Sequence, residues 1–493
     1  MRFNEIREMF KLRPYQENCV RSIYDYINSD RHDPVLVVAP VAAGKSLLLA
    51  EAARIMGGNT IILQPSKELL QQNYDKLISY NISATIYSAS CGKKELSNMI
   101  YATLGSVKKV IGQLKEMGIR NVLIDEAHAG YSPEEDSEFM KFMNELKPSK
   151  VIGFTATPCR LKTMSIGQVS YSQLNFITRM RPVYFKNLIH VIQVEEMIRQ
   201  GFWTPLKYET WDFNGDALKL NSNGSEYTAG SISEAVRKNG LNNLILRRLM
   251  VLKDVCRSIL VFMDSVESCN TAAEWMNAKI CAGMAEVVHG GTPKKQREAI
   301  VERFKSGKTK VVFNYSALGT GFDHPGLDCV IVGRPTFSFS SFYQWLGRAV
   351  RIKDGKGSAL VVDCCNNSSR FGDIRKLSIE NYKGYGWGMF IGDRLITNIP
   401  MGDKVTKTDL DIKAAKKDRR RGLAQGITAS PVPGRPDHPL GSTLMTFGKY
   451  CGWMLHSIPV SYFKFINETF DWDNDRNKDI KEYIDFLIKN NRL

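Results

Sequence analysis

The chain has 493 residues, more than one hydrophobic core usually accommodates, so we expect roughly two to four domains. Hydrophobic residues make up 43% and charged residues 24%, as in ordinary globular proteins. The sequence contains no run of about 18 apolar residues, the length that a membrane-spanning helix needs. The formal net charge of +16 favours a polyanionic partner, nucleic acid ahead of a membrane surface.

Ten cysteines are scattered along the chain without a single C-x-x-C pair. This spacing argues against a structural zinc site and against a disulfide framework. The first residues carry charges throughout and no apolar segment, so we expect no secretory signal. Reduced thiols fit a cytosol best, and we therefore expect a cytoplasmic protein.

Short β-branched runs alternate with helical patterns in the first third of the chain. The runs lie at 35–38, 60–63, 122–124 and 151–154, and apolar residues at helical spacing occupy 46–56 and 67–80. Such alternation predicts βαβ units, that is, a parallel sheet covered by helices. A first α/β domain is predicted over residues 1–190.

The same alternation of β-branched runs and helical patterns returns in the middle of the chain and then stops. The second set of runs lies at 259–263, 286–289, 311–314, 329–332 and 359–362, which predicts a second α/β domain over 191–370. Between the two sets the pattern is irregular, and the polar stretch 221–225 predicts a turn. After the second α/β domain, we predict a basic linker region at 371–430 and a small C-terminal α+β module at 431–493.

Residues 39–46 read APVAAGKS and stand between an apolar run and a helical pattern. A phosphate-binding loop has this context, because the first N–H groups of the helix face the anion. Lys45 is then predicted to reach the β/γ phosphates and Ser46 to hold Mg²⁺. Gly-Lys-Ser alone is a weak signal. A second such tripeptide, at 307–309, follows a helical pattern and precedes a strand, so we interpret it as a turn.

An acidic pair, Asp125 and Glu126, follows the apolar run at 122–124. An ATPase needs one carboxylate to order Mg²⁺ and another to activate the attacking water, and this pair offers both. Alone, such a pair is as often the N-terminal cap of a helix. Together with Lys45 it predicts an ATP-hydrolysing site.

With these residues in place, the chain resembles the superfamily 2 helicases and translocases, and the likeness continues motif by motif in order. In the first half, the matching segments are 12–16 (LRPYQ) for the Q-type motif, 65–72 for motif Ia, 102–106 for motif Ib, 125–128 (DEAH) for motif II and 154–158 for motif III.

The second half supplies 260–265 for motif IV, 318–323 for motif V and 344–351 (QWLGRAVR) for motif VI. The resemblance covers about residues 10–365. It implies two tandem RecA-like domains, each with a parallel sheet, and ATP bound in the cleft between them.

The resemblance also implies a role for each matching residue. ATP is assigned to Arg13, Gln16, Ala43, Gly44, Lys45, Ser46, Gly321 and Asp323, and Mg²⁺ to Ser46 and Asp125. The catalytic set is Lys45, Asp125, Glu126, Gln344, Arg348 and Arg351, the two arginines as fingers for the γ-phosphate. The coupling set is His128, Thr155 and Thr157.

Nucleic-acid contacts are implied for Pro65, Ser66, Lys67, Thr103, Gly105, Ser265 and Thr320. Short hydroxyls, lysine and loop N–H groups bind phosphates without reading sequence. For any one of these residues, an ordinary cap or turn role is an equal alternative.

The loop departs from its relatives at two positions. Val41 and Ala42 stand where superfamily 2 loops often have Thr and Gly. Ala42 therefore has to avoid positive φ, or accept strain of about a kcal/mol or more.

The motif variants resemble DNA-directed members, among them bacterial repair helicases and phage helicases that remodel forks and junctions. DEAH, Thr-Ala-Thr and Q-x-x-G-R replace the DEAD, S-A-T and H-R-x-G-R of the RNA-unwinding DEAD-box enzymes. We expect a monomeric DNA motor in a bacterial or phage-infected cytoplasm. The alternatives are an RNA helicase and a basic nucleic-acid-binding protein with an impaired ATPase site.

The C-terminal region offers two further candidates for DNA contact. The basic run at 413–421 is either a phosphate contact or a solvated linker. The aromatic residues of the last module either stack on bases or form a small core: Phe447, Tyr450, Trp453, Tyr462 and Phe463.

Overall fold

The computed structural model describes residues 12–166, 169–318 and 322–414, and then 440, 443, 445–446, 450, 454–458, 460–469, 472 and 477–490. Contacts separate the chain into two units, residues 1–382 with 386–405, and residues 383–385 with 406–493. Both sheets of the predicted α/β domains lie in the first unit.

The first sheet is parallel apart from one edge. Its strands are β1 (Val35–Val38), β2 (Thr60–Leu63), β3 (Thr85–Ser88), β4 (Lys93–Lys94), β5 (Met99–Ala102), β6 (Asn121–Ile124), β7 (Lys150–Thr155) and β10 (Asn187–Val191). In the described residues they run in the order β10-β1-β7-β6-β2-β5-β3-β4, and only β4 is antiparallel to its neighbour. The helices are α1 (Pro14–Ile27), α2 (Lys45–Met56), α3 (Lys67–Ile78), α4 (Leu104–Val107), α5 (Ile111–Glu116) and α6 (Glu138–Leu146).

The sequence explains why this sheet lies inside the fold. All four residues of β1 are fully buried, and its unbroken apolar run is typical of a strand covered on both faces. Parallel strands deliver their carboxyl ends to one edge of the sheet. The loop at 39–44, the acidic pair after β6 and the Thr-Ala-Thr segment after β7 therefore meet there.

The second sheet is parallel throughout its described residues. Its strands are β11 (Leu206–Thr210), β12 (Ile259–Phe262), β13 (Ala285–His289), β14 (Val311–Tyr315), β15 (Cys329–Val332) and β16 (Ala359–Asp363), in the order β11-β16-β15-β12-β14-β13. The associated helices are α7 (Val194–Arg199), α8 (Ala229–Lys238), α9 (Leu241–Val255), α10 (Val266–Lys279), α11 (Lys294–Lys305), α12 (Phe339–Leu346) and α13 (Asn367–Phe371). The predicted fold class, two tandem α/β domains with parallel sheets, is confirmed.

Two antiparallel elements lie in segments that showed no α/β alternation. A hairpin of β8 (Cys159–Ile166) and β9 (Val169–Phe176) follows β7 directly and pairs along its whole length. A small sheet contains β17 (Leu377–Tyr382), β18 (Gly386–Ile391) and β19 (Arg394–Leu395), and β20 spans Val405–Thr406. The stretch 221–225 is a turn, as predicted, and the 307–309 tripeptide is also a turn between α11 and β14.

The second unit has a core of its own. Helices α14 (Val460–Thr469) and α15 (Lys478–Lys489) pack together, and Phe463, 1% exposed, contacts Tyr483 with ring centroids 5.5 Å apart. Tyr450 and Tyr462 make an edge-to-face pair at 4.7 Å. These contacts favour the core interpretation of the aromatic residues. Phe447, Trp453 and residues 415–421 of the basic run lie outside the described residues.

No helix in the described ranges is long and apolar enough to cross a membrane. The exact domain boundaries stay predictions, as do the monomeric state and the cytoplasmic location.

Candidate active site

The loop at 39–44 makes a tight turn between β1 and α2. Ala43 N donates to Pro40 O at 3.1 Å, and helix α2 begins at Lys45, immediately after Gly44. Gly44 has φ 84°, and a Cβ there would lie 2.5 Å from Gln16 Nε2. Glycine is therefore required at this position by the backbone conformation, and an added Cβ would also displace the end of the Gln16 side chain.

Ala42 takes the strained alternative. Its φ is 66°, in the left-handed region, so the loop accepts a cost of about 1–2 kcal/mol that glycine would avoid. Its side chain and that of Val41 pack against the core of the first unit. The loop thus keeps the shape of a phosphate-binding loop with apolar side chains on its outer turn.

The acidic pair lies against the loop lysine. Lys45 Nζ is 3.0 Å from Asp125 Oδ1 and also contacts the Glu126 carboxylate. Burial alone would lower the pKa of Lys45, but the charges of Asp125 and Glu126 raise it instead. Asn73 Nδ2 donates to Asp125 Oδ2 at 2.8 Å and fixes that carboxylate, which is 2% exposed. Glu126 itself has φ 46°, a strained backbone of the kind found at functional sites.

A chain of polar contacts leads from this pair to the second half. His128 Nδ1 lies 3.3 Å from Glu126 Oε2 and 2.8 Å from Thr155 Oγ1. Thr155 Oγ1 accepts from Thr157 N at 3.0 Å, and Ser340 Oγ of helix α12 donates to Thr157 Oγ1 at 3.0 Å. The three predicted coupling residues are thus brought together. Ser340 was missed, because serines are common at a helix start and carry no signal of a contact with a distant segment.

Burial, followed by the charges of Lys45 and Arg160, lowers the pKa of His128 to about 3. His128 is therefore neutral near pH 7 and serves the contact chain as a hydrogen-bonding group rather than as a charge.

Both halves line one cavity of about 290 Å³. The first half contributes the 39–46 loop, Asp125 and Glu126, and the second half contributes Asp323, Gln344, Gly347, Arg348 and Arg351. Arg351 Nε pairs with Asp323 Oδ1 at 2.7 Å, and Arg348 Nη1 donates to Phe322 O at 2.6 Å. Burial, followed by the charge of Arg351, lowers the pKa of Arg348 to about 9, so it remains a cation near pH 7.

The segment between the sheets holds the two halves at the loop. Trp203, 2% exposed, donates its indole N–H to Val41 O at 2.9 Å. The next residue, Thr204, donates N–H to Val350 O at 2.8 Å and its hydroxyl to Arg351 O at 2.7 Å. The dipeptide Trp203–Thr204 therefore forms hydrogen bonds with the 39–44 loop on one side. On the other side it bonds the segment that carries Arg348 and Arg351, which we call the arginine segment. The dipeptide lies in a region that the sequence marked only as irregular.

The Q-type segment lies beside the loop. Gln16 Nε2 donates to Ala43 O at 2.9 Å, and Gln16 Oε1 accepts from Arg13 N at 3.0 Å. The Arg13 guanidinium stacks 4.6 Å from the ring centroid of Phe202, another residue that sequence reasoning missed. A planar cation over an aromatic ring, next to the loop, offers a flat surface for a nucleobase.

The predicted nucleic-acid residues follow the carboxyl ends of β2, β5 and β12. Ser66 accepts from Leu69 N at 3.3 Å and Ser265 from Ser268 N at 3.0 Å, so both hydroxyls cap helices. Capping uses the Ser66 oxygen as an acceptor, which is compatible with donation of its proton to a phosphate, whereas the Ser265 hydroxyl also donates to Ser268 Oγ at 3.0 Å.

Thr103 Oγ1 donates to Ser106 Oγ at 3.1 Å within the turn after β5. Pro65, Lys67 and Gly105 stand at the same sheet edge. Their contacts with nucleic acid stay predictions. Thr320 and Gly321 lie outside the described residues.

Two family models match the chain. The type III restriction enzyme res subunit model matches residues 9–160, and the helicase conserved C-terminal domain model matches residues 242–353. The first covers the phosphate loop and the acidic pair, and the second ends just beyond the arginine segment.

Several curated proteins are similar to the chain at 24% identity. The putative ATP-dependent helicase IRC3 of Saccharomyces cerevisiae aligns over 73% of this chain and 52% of its own length. A 51.5 kDa protein of a Lactococcus phage aligns over 66% and 65%, and the ATP-dependent DNA helicase Hel308 of Pyrococcus horikoshii over 68% and 49%. The chain thus spans between about half and two thirds of these relatives.

Two solved structures show the same fold. The ATP-dependent type ISP restriction-modification enzyme LlaBIII bound to DNA superposes with a TM-score of 0.53 at 14% identity, over 85% of this chain and 30% of that one. A fragment of a putative HsdR subunit of a type I restriction enzyme from Vibrio vulnificus gives 0.52 at 18% identity, over 74% and 66%.

Proposed function

The chain belongs to the superfamily 2 helicases, and we propose that it is an ATP- and Mg²⁺-dependent motor that unwinds or remodels branched DNA. One observation carries the proposal. A single cavity joins Lys45, Asp125 and Glu126 of the first half to Arg348 and Arg351 of the second.

The donor set of this cavity fits a magnesium nucleotide. Lys45 and the start of helix α2 suit the phosphates, and the Ser46 hydroxyl and Asp125 suit Mg²⁺, which prefers oxygen ligands. Arg351 Nη1 is buried and makes no hydrogen bond within the described residues, so a donor remains for an anion. Bound Mg²⁺ would neutralise charge that develops on the phosphates.

The chain's own residues then perform defined tasks. Glu126 accepts a proton from the attacking water, and Lys45 turns from the carboxylates to the phosphate oxygens. The guanidinium groups of Arg348 and Arg351 stabilise charge on the transferred group, an effect worth about 10³–10⁵ in rate where arginine fingers have been measured. Hydrolysis therefore requires both halves to be in place.

Movement follows from the same geometry. The halves touch where Gly347 meets Val41 and where Ser340 meets Thr157, so loss of the γ-phosphate weakens contacts on both sides of the cleft. Closure and reopening of the cleft shift the predicted nucleic-acid contacts of the first half relative to those of the second half. Repeated hydrolysis in this way moves the protein along a strand.

DNA is favoured over RNA on two grounds. The DEAH, Thr-Ala-Thr and Q-x-x-G-R variants resemble DNA-directed members, and one relative, Hel308, is a DNA helicase by name. An RNA helicase is the second candidate. Another similar protein, at 23% identity, is the pre-mRNA-splicing ATP-dependent RNA helicase PRP28 of Yarrowia lipolytica.

The deciding experiment compares ATP hydrolysis and unwinding on single-stranded DNA, forked DNA, a Holliday junction and single-stranded RNA. We expect the largest stimulation on branched DNA. Larger stimulation by RNA would select the second candidate, and equal rates with and without every nucleic acid would refute the motor. Lys45→Ala controls for contaminating ATPase and tests the impaired-site alternative, which fails if the unmutated protein turns over ATP and the variant does not.

A further inference from the structure

A second cavity, of about 420 Å³, lies at the amino-terminal edge of the second sheet. It is bounded by the residues that precede β12, β14, β15 and β16, so it faces away from the carboxyl ends that carry the ATP site. This position therefore also separates the cavity from the predicted nucleic-acid contacts, which lie at the carboxyl ends of the strands.

Two similar loops form its walls. One reads Lys-Ser-Gly-Lys at 305–308 and the other Lys-Asp-Gly-Lys at 353–356. Gly307 and Gly355 have φ of 79° and 75°, so each loop turns at a left-handed glycine. The tripeptide at 307–309, which plays no part in nucleotide binding, belongs to the first of these loops.

Three of the four cations on these walls are exposed to solvent. Within the part of the chain that the structure describes, none of Arg257, Lys305 and Lys353 forms an ion pair. The nearby Asp328 carboxylate instead accepts two backbone N–H groups, those of Arg257 at 2.9 Å and Ser258 at 3.0 Å. The lining as a whole holds four cations, the fourth being Lys356, against two carboxylates, Asp328 and Asp354, so the walls carry a net positive charge.

The charge of the walls affects the pKa of His324, which lies at the floor of the cavity. His324 is 5% exposed, and its Nε2 lies 2.8 Å from Ser258 Oγ. Burial, followed by the charges of Lys353 and Lys305, lowers the pKa of His324 to about 4. The imidazole is therefore neutral near pH 7, and the attraction for anions comes from the walls.

Lys356 differs from the other cations. Its Nζ donates to Pro325 O at 3.1 Å, Ala349 O at 2.6 Å and Arg351 O at 2.8 Å. It is committed to holding the arginine segment and is unsuitable for a binding test.

We propose that this cavity binds the sugar–phosphate backbone of a nucleic-acid arm that is separate from the strand gripped at the carboxyl edges. Exposed Lys and Arg side chains without ion pairs, together with glycine turns, suit phosphates and read no bases. The proposal rests on the proposed function, because it assigns a second contact to the same branched substrate. It predicts that the arm adds affinity without changing the chemistry of ATP hydrolysis.

The test compares a triple variant with a matched control. The variant is Arg257→Gln with Lys305→Gln and Lys353→Gln. The control removes the same charge from three exposed lysines of the second half that lie outside the cavity: Lys219→Gln, Lys279→Gln and Lys295→Gln. Dissociation constants for a forked duplex and for a short single strand are measured as a function of salt, with ATPase rates on both.

For the fork we expect the triple variant to lose roughly tenfold or more in affinity and its logarithmic salt slope to fall by about 2.7, three phosphates at about 0.9 each. Affinity for the short strand and the ATPase rate at saturating DNA stay within about twofold of the unmutated protein, and Lys305→Arg with Lys353→Arg keeps the slope. The control leaves the fork slope nearly unchanged.

Three outcomes would overturn the inference: an unchanged fork slope, an equal loss in the control, or an equal loss on the short strand. Stabilisation of the protein by inorganic phosphate, combined with an unchanged fork slope, would reassign the cavity to a small anion. If the unmutated protein neither binds the fork nor hydrolyses ATP, the proposed function has failed. If the unmutated protein does both and the triple variant binds the fork as the unmutated protein does, the failure is confined to this inference.

Discussion

The contact between Gly347 and Val41 makes a sharp test of how the two halves meet. Gly347 ends helix α12 with φ −59°, a conformation that alanine adopts freely. A Cβ at this position would lie 2.6 Å from Val41 Cβ, and 2.7 and 2.9 Å from its two methyl groups. The substitution Gly347→Ala therefore introduces a pure collision across the cleft, with no backbone strain of its own.

The geometry sets the magnitude. Carbon atoms pack at about 3.5–4.0 Å, so each of the three contacts is short by about 1 Å and the halves have to separate by a similar distance. Overpacking of this kind costs about 1–3 kcal/mol. A displacement of about 1 Å between reacting groups costs about 10²-fold in rate, and Arg348 is the next residue in the chain. We expect kcat to fall about 100-fold, with nucleotide binding by the first half largely retained.

The assay is a double-mutant cycle on ATP hydrolysis. Val41→Gly removes the opposing side chain, so the double variant with Gly347→Ala is expected to recover at least about tenfold over the single variant, a coupling above about 1.4 kcal/mol. Gly112→Ala in helix α5, a glycine with no atom within 4 Å of an added Cβ and no assigned role in binding, serves as the control for generic loss of glycine. Additive effects in the cycle, or a Gly347→Ala enzyme with normal kcat, would refute the contact.

Four further predictions concern single residues of the site. Glu126→Gln is expected to keep ATP affinity and to lose about 10²–10⁴ in hydrolysis, because a neutral amide cannot accept the proton; equal loss of binding, measured by equilibrium titration, would contradict the role. Ala42→Gly relieves a φ of 66° and is expected to raise the free energy of unfolding in urea by about 0.5–1 kcal/mol, whereas Ala43→Gly lowers it. Trp203→Phe removes one hydrogen bond to the loop and is expected to weaken ATP binding about fivefold, the equivalent of about 1 kcal/mol; unchanged affinity would make this residue packing only. The pKa of His128 is about 3 in the folded protein against 6.5 in the unfolded chain, so the unfolded state binds more protons between these values and stability falls as pH drops below 6.5. His128→Asn should flatten that dependence in urea titrations at pH 7 and pH 4.5, and an unchanged slope would count against the burial of this imidazole.

The parts of the molecule that the sequence predicted are those whose cause is local. Strand β1, the 39–44 loop and helix α2 are contiguous, so apolar run, turn and helical spacing appear side by side in the sequence. The acidic pair after β6 follows the same rule, because a parallel sheet places successive strand ends at one edge. Fold class and the first half of the site follow from these local patterns.

The parts that were missed depend on contacts between distant segments. Trp203 meets Val41 across 162 positions of the chain, and Ser340 meets Thr157 across 183. Trp203 lies in an irregular segment and Ser340 in helix α12, and neither has a periodicity or spacing that would indicate its distant partner. The hairpin after β7 was missed for a different reason: Gly-Gln at 167–168 is a short turn signal, but the alternation of apolar and polar residues on either side is interrupted at 162–163 and at 172–173.

Ala42 shows a third kind of limit. The sequence reduced the question to two outcomes, a negative φ or accepted strain, and the structure shows the second. Local sequence defines the cost of each conformation. Only the surrounding packing, here the core contact of the loop side chains, decides which cost is accepted.

The central claim is that hydrolysis needs residues from both halves, and single-turnover ATP hydrolysis by Arg351→Gln tests it most directly. The first half, with Lys45, Asp125 and Glu126, is unaltered in this variant, so we expect ATP to bind with an affinity within a few-fold of the unmutated protein. In the presence of forked DNA, the rate of the chemical step should fall by about 10³-fold or more. A single-turnover rate equal to that of the unmutated protein would contradict the two-half site.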